Sequence, residues 1–147
     1  PEATHLIKVA CECARGVRAG MKVFGTDYET RDGTCIRDYI HVDDLAKAHV
    51  MALDYMSKGG DSQPMNCGYG RGFTVKEVID VVKEKSGVDF AVEETERRAG
   101  DPDALMADNT KIKQTLGWEP DYEDLGVIVQ SALDWEAVWQ SKQDGAS

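Results

Sequence analysis

No stretch of this 147-residue chain approaches the ~20 consecutive apolar residues that a membrane-spanning helix needs, and no secretory leader pattern is present. Positive charge is also scarce. Seventeen Lys and Arg stand against 27 Asp and Glu, a formal net charge of −10. That balance argues against nucleic acid or an anionic membrane as partner, and any anionic ligand must be held by local arginines. The four cysteines (Cys11, Cys13, Cys35, Cys67) include no C-x-x-C pair. On a helix Cys11 and Cys13 point about 200° apart, the wrong geometry for a shared metal. The three histidines do not cluster with them, so no metal site is expected and the thiols read as reduced and partly buried. Methionine is missing from the first position, where Pro1 stands, so a longer gene is expected.

What is present is ordinary for a water-soluble globular protein: 41% apolar and 30% charged residues. One domain is the natural expectation, burying about 70% of its unfolded surface. Leu6, Ile7, Ala10, Cys13, Ala14 and Val17 recur at helical spacing, predicting a helix over 4–19 ended by Gly20. Strands are expected at 21–24, 35–40, 65–67 and 88–93. A helix over 42–56 should bury Ala46, His49, Val50, Leu53 and Tyr55 or Met56. Thr74-Val75-Lys76-Glu77 reads as a capping box opening a helix to Ser86, stopped by Gly87. Asn109 should cap a helix to Leu116, and a last helix should run over 125–139 before a frayed tail at 140–147. Short strands alternating with helices make this an α/β chain.

The densest chemistry lies in Gly33-Thr34-Cys35-Ile36-Arg37-Asp38-Tyr39-Ile40-His41-Val42-Asp43-Asp44. Arg37 and Tyr39 are two residues apart, so an extended segment puts them on one face. A guanidinium beside a phenol suits a phosphate with a ring or hydroxyl nearby, although a surface arginine and a half-buried tyrosine would look the same. Arg97-Arg98-Ala99-Gly100-Asp101 adds two arginines and a carboxylate three residues after Arg98. Such a loop either faces solvent or completes a two-arginine diphosphate clamp with Arg37, its aspartate taking a sugar diol. Gly68-Tyr69-Gly70-Arg71-Gly72 misses the G-x-G-x-x-G phosphate loop by one residue. Asp43 and Asp44 at a helix start read as caps rather than an acid–base pair, and His41 as a packing or hydrogen-bonding residue. No nucleophile and base stand at readable spacing, so no catalytic residue is assigned.

Gly33 to His49, with Val23-Phe24-Gly25-Thr26-Asp27-Tyr28 before it, resembles UDP-glucose 4-epimerases of the extended short-chain dehydrogenase/reductase superfamily. Asn66-Cys67-Gly68, Phe73 to Val78, Arg97 to Asp101, Ala107-Asp108 and Leu116-Gly117-Trp118 fit the same family in order. The resemblance implies the C-terminal, substrate-binding portion of a Rossmann-type fold over 1–147, with the N-terminal nucleotide-binding half absent. It places Phe24 against uracil near Leu6, Arg37 and Arg98 on the diphosphate with Tyr39 close by, Asp101 on the ribose and Val75 on the uridine side. Leu105 would stand near the sugar, where some members have tyrosine, and leave room for N-acetylated UDP-hexoses. Ala99, His5 and Lys8 also depart from common family residues. The family oxidises the sugar's C4 hydroxyl with bound NAD, lets the 4-keto sugar rotate and returns the hydride to its other face. Its Y-x-x-x-K pair and G-x-x-G-x-x-G loop do not occur in these 147 residues. The resemblance therefore implies that NAD is bound by the missing half, that the isolated chain is inactive, and that the full enzyme is a cytoplasmic homodimer acting on a UDP-hexose. It also implies that residues 38–56 pack on the cofactor domain, leaving bare apolar surface and a poorly stable chain. Two rival readings are another UDP-sugar epimerase, dehydratase or decarboxylase of the superfamily, and a non-catalytic UDP-sugar-binding module.

Overall fold

A computed structural model describes residues 4–144 of the chain. Its elements are α1 (Leu6–Ala14), β1 (Gly20–Phe24), β2 (Ile36–Arg37), α2 (Val42–Ser57), β3 (Phe73–Thr74), α3 (Val75–Ser86), β4 (Ala91–Thr95), β5 (Ala104–Leu105), α4 (Thr110–Leu116) and α5 (Leu125–Asp144). β1 and β4 pair in parallel, Gly20 opposite Ala91 through Phe24 opposite Thr95. β2 lies between β3, which is antiparallel to it, and β5, which is parallel. The arrangement is α/β, as the alternation of elements suggested.

The core forms where α1, α3 and α5 pack on one another. Ile7, Ala10 and Cys11 meet Val78, Ile79 and Val82, with Ile128, Val129 and Leu133 alongside. Each of the larger aliphatic side chains contributes about 1.5–3 kcal/mol on burial. The capping box opens α3: Thr74 Oγ1 accepts from the Glu77 N–H at 3.1 Å, and Glu77 accepts from the Thr74 N–H at 2.9 Å. Arg31 pairs with the same glutamate and ties the 25–34 loop to this helix start.

Several boundaries differ from the sequence expectation. α1 stops at Ala14, because Gly16 takes φ +73° and turns the chain, and Gly20 opens β1 instead of closing the helix. The strand expected at 65–67 has no ladder partner, and that at 35–40 shrinks to two paired residues. β4 begins three residues later and ends two residues later than the alternating run at 88–93. Asn109 donates its side-chain amide to the Gly68 carbonyl, while Asp108 accepts from the Thr110 N–H, so the expected Asn109 cap is not made. α5 runs on to Asp144, with an Arg15–Gln140 side-chain bond of 3.3 Å, so the helix extends through 140–144, beyond the end expected at 139. Residues 145–147, like 1–3, lie outside the described part.

The buried stripe expected on α2 faces the wrong way. Val50 is 65% and Leu53 69% exposed, and Ala46, His49 and Met56 are exposed with them. The inner side carries Asp44, Ala48 and Met51. Polar bonds fix this orientation: Lys47 Nζ reaches the Glu119 carbonyl (2.8 Å) and Asp121 (2.7 Å), and Asp44 is fully buried. The helical periodicity is thus real, but its apolar face is left bare.

Candidate functional site

A cleft of about 740 Å³ opens between α1, β1, the β2 segment and the loop that carries Arg98. Leu6, Phe24, Arg37, Tyr39, Val75 and Arg98 all line it. β1 delivers Phe24 at its C-terminal end, 37% exposed. β2 delivers Arg37, with Tyr39 two residues on, 8% exposed, its hydroxyl pushed well above the usual phenol range chiefly by burial.

The two arginines meet on one carboxylate. Arg98 Nε donates to Asp101 Oδ2 at 2.9 Å, and Arg37 Nη2 stands 3.5 Å from Asp101 Oδ1. Arg37 Nη1 also donates to the carbonyls of Ile36 (2.7 Å) and Pro102 (2.9 Å), which fixes the guanidinium against the 97–103 loop. The Arg98 guanidinium carbon lies 4.8 Å from the centre of the Phe24 ring. Residues sixty apart in sequence thus form one cationic edge beside an aromatic face, the geometry for a nucleotide diphosphate. Asp101 is not itself a lining residue but is bound to both arginines that are. Leu105 is outside the cleft lining, 61% exposed on β5, directly opposite Arg37 in the ladder.

Arg97 plays a different part. Its Nε donates to Asp27 at 2.6 Å and its guanidinium covers the Tyr28 ring at 4.0 Å, so it pins the 25–34 loop and does not enter the cleft. The glycine-rich 68–72 loop does cradle an anion, but the anion is the protein's own. Asp38 accepts from the N–H groups of Tyr69 (3.0 Å), Gly70 (2.9 Å) and Ala107 (3.2 Å). A Cβ at Gly68 would come within 2.6 Å of the Asp38 carboxylate, which is why glycine stands there. No amide of Tyr69 or Gly70 is left for a cofactor phosphate.

Asp44 was expected to cap α2; that role falls to His41, whose Nδ1 accepts from the Asp43 N–H at 3.1 Å. The His41 Nε2 bonds Ser131 Oγ at 2.9 Å and its ring stacks on Tyr122 with centroids 4.5 Å apart. Asp44 instead accepts from the Tyr69 hydroxyl (2.6 Å) and the N–H groups of Asp121 (2.8 Å) and Tyr122 (3.0 Å). Burial opposes its ionisation, but those donors outweigh burial and hold its carboxyl below the usual aspartate range. Trp118 donates its ring N–H to the Asp44 carbonyl at 3.1 Å. None of the Asp44 ties could be read from spacing, because every partner is more than twenty residues away. Among the described residues, no three His, Cys, Asp or Glu side chains converge as metal ligands.

The family model described as GDP-mannose 4,6 dehydratase matches residues 3–128. UDP-glucose 4-epimerase from Azospirillum brasilense is 54% identical over 136 residues, covering 92% of this chain and 39% of the relative. The corresponding enzyme of Rhizobium leguminosarum bv. trifolii is 55% identical over 134 residues, covering 91% of this chain and 41% of its own length. Among solved structures, the UDP-Glc/GlcNAc 4-epimerase of Campylobacter jejuni is 56% identical with a TM-score of 0.84, covering 94% of this chain and 42% of that one. An epimerase from Stenotrophomonas maltophila, with bound NAD and formylated UDP-arabinopyranose, is 33% identical with a TM-score of 0.90, covering 97% and 43%. The chain therefore spans about two fifths of the length of the relatives it matches. With the family model running through the cleft and through α1 and α3 of the helical core, the chain belongs to the GDP-mannose 4,6-dehydratase family, as an α/β chain matching the C-terminal part of the UDP-glucose 4-epimerases among the extended short-chain dehydrogenases.

Proposed function

We propose that this chain is the UDP-sugar-binding part of a UDP-glucose 4-epimerase, whose full-length form interconverts UDP-glucose and UDP-galactose. One observation carries the reading: Arg37 and Arg98, distant in sequence, converge beside Phe24 on the cleft. In this reading the two guanidinium groups grip the diphosphate, Phe24 takes the uracil near Leu6, and Val75 lines the uridine side. Tyr39 stands by the diphosphate, Asp101 takes the ribose hydroxyls and Leu105 lies toward the sugar. Grip on the nucleotide, remote from the reacting C4, positions the sugar for reaction.

The residues present do not fit the cofactor. The glycine-rich loop spends its amides on Asp38, and the sequence holds neither the nucleotide loop nor the Y-x-x-x-K pair. NAD thus belongs to the portion of the longer enzyme outside this chain, and no step of the hydride chemistry is assigned to these residues. The same reading makes the longer enzyme a cytoplasmic homodimer and the isolated chain inactive. No described helix is long and apolar enough to cross a membrane.

Calorimetric titration of UDP into the unaltered chain and into Arg98→Ala tests the proposal. Losing one charge-assisted contact should weaken binding about tenfold. Equal affinities would remove the clamp.

A further inference from the structure

Groups that the proposed function gives to the ligand are engaged with one another. The Arg98 guanidinium carbon lies 4.8 Å from the centre of the Phe24 ring, the side chain assigned to the uracil. The same guanidinium brings two nitrogens, Nε and Nη2, to Asp101 Oδ2, each at 2.9 Å. Arg37 Nη2 stands 3.5 Å from the other oxygen, Oδ1. A ligand that claims the arginines and the aromatic ring has to take them from these partners.

The sequence builds the central contact locally. Residues 98–101 form a turn in which the Asp101 N–H donates to the Arg98 carbonyl at 3.4 Å. Its third residue, Gly100, takes φ +85°, the left-handed conformation for which such a turn needs glycine. The turn sets the Arg98 and Asp101 side chains side by side. The two arginines differ in freedom. Arg37 Nη1 is held by the Ile36 and Pro102 carbonyls, and its side chain is 23% exposed. Arg98 is 57% exposed and rests on Asp101 and the Phe24 ring, so it is the arm that can turn.

A diphosphate arriving alone meets a carboxylate that already faces both guanidinium groups, and the two anions repel. Once the arginines turn away, Asp101 is a largely buried carboxylate short of donors. A ribose diol removes the conflict, because its two hydroxyls donate to the Asp101 oxygens as the arginines leave. We propose that Asp101 couples recognition of the ribose to recognition of the diphosphate: its carboxylate holds Arg98 and Arg37 until a diol takes their place. The inference rests on the diphosphate reading of the cleft. It makes the site select a nucleoside diphosphate over either fragment, since each part improves binding of the other by the same factor.

Chemical-shift titrations of the unaltered full chain and of Asp101→Asn test the coupling, with thermal melts of both. Asparagine keeps the shape and removes the charge. The variant should bind pyrophosphate about fivefold more tightly and uridine about fivefold more weakly. Pyrophosphate affinity that does not rise, or uridine affinity that does not fall, would overturn the proposal. A second measurement needs no variant and stands even if Asp101→Asn fails to fold. Saturating uridine should tighten binding of inorganic phosphate to the unaltered chain about threefold to fivefold. Phosphate affinity indifferent to uridine sinks the coupling. Either failure leaves the proposed function standing where UDP still binds through Arg98, whereas no UDP binding by the unaltered chain removes both.

Discussion

Removing the Asp44 carboxylate should cost this chain more than removing any surface charge. The side chain is fully buried and accepts from three donors, at 2.6, 2.8 and 3.0 Å. Asp44→Ala leaves the Tyr69 hydroxyl and two backbone N–H groups facing a void, at about 1–3 kcal/mol each if none relaxes. Partial relaxation and water entry bring the total to about 3–5 kcal/mol, within the range for breaking a buried charged network. For a domain holding on the order of 5–15 kcal/mol, that is a large share. With a urea dependence of about 2 kcal/mol per molar, the unfolding midpoint should fall by roughly 1.5–2.5 M. Asp44→Asn keeps the shape but turns an amide toward one donor, and should fall by about half as much. The folded-state pKa of Asp44 is depressed, so its contribution is present above the unfolded value of about 3.9 and is lost as pH falls through the folded one. The gap between the unaltered chain and Asp44→Asn should therefore narrow below about pH 4. Urea titrations at pH 7 and at pH 3 read both effects. A midpoint change under 0.5 M for Asp44→Ala, about 1 kcal/mol on that slope, would refute the reasoning.

Gly68→Ala should lower the melting temperature by roughly 4–8 °C, about 2 kcal/mol, because the new Cβ meets Asp38 and Ala107 at 2.6 and 2.7 Å; calorimetry of the melt checks this, and an unshifted midpoint contradicts it. The isolated chain should bind a hydrophobic dye and melt at low temperature, since Val50, Leu53 and Met56 lie bare along α2; a melt at high temperature from a monomer that binds no dye would oppose it. If Leu105 lies toward the sugar as proposed, a full-length enzyme carrying this part should turn over UDP-N-acetylglucosamine as well as UDP-glucose, because leucine is smaller than the tyrosine of some relatives. Complete rejection of the acetylated substrate would end that idea.

Local patterns carried part of the fold. The capping box at Thr74–Glu77 and the helix stop at Gly87 are contained within a few residues, and both are found where the sequence puts them. β2, β3 and β5 are two-residue ladders whose existence depends on partners thirty or more residues away, so no local pattern announces them. The α2 periodicity was legible but its direction was not. Period alone cannot say which face a buried aspartate will turn inward. At the cleft, Arg37 and Arg98 were legible as a pair, mostly through resemblance. The division of labour between Arg97 and Arg98 was not, because it depends on where Asp27 and Tyr28 fall in space.

The long reach of the ties on Asp44 and β1 sets how this chain must fold. β1 has to wait for β4, some seventy residues later, and Asp44 has no backbone donors until residues 121 and 122 have been made. Contacts of such separation close slowly, because loop entropy is lost before any bond repays it. During synthesis α2, whose outer face is bare in any case, would therefore also keep its inner carboxylate unmatched until the last fifth of the chain arrived. A ribosome pausing between residues 57 and 118 would hold the chain in its most aggregation-prone form.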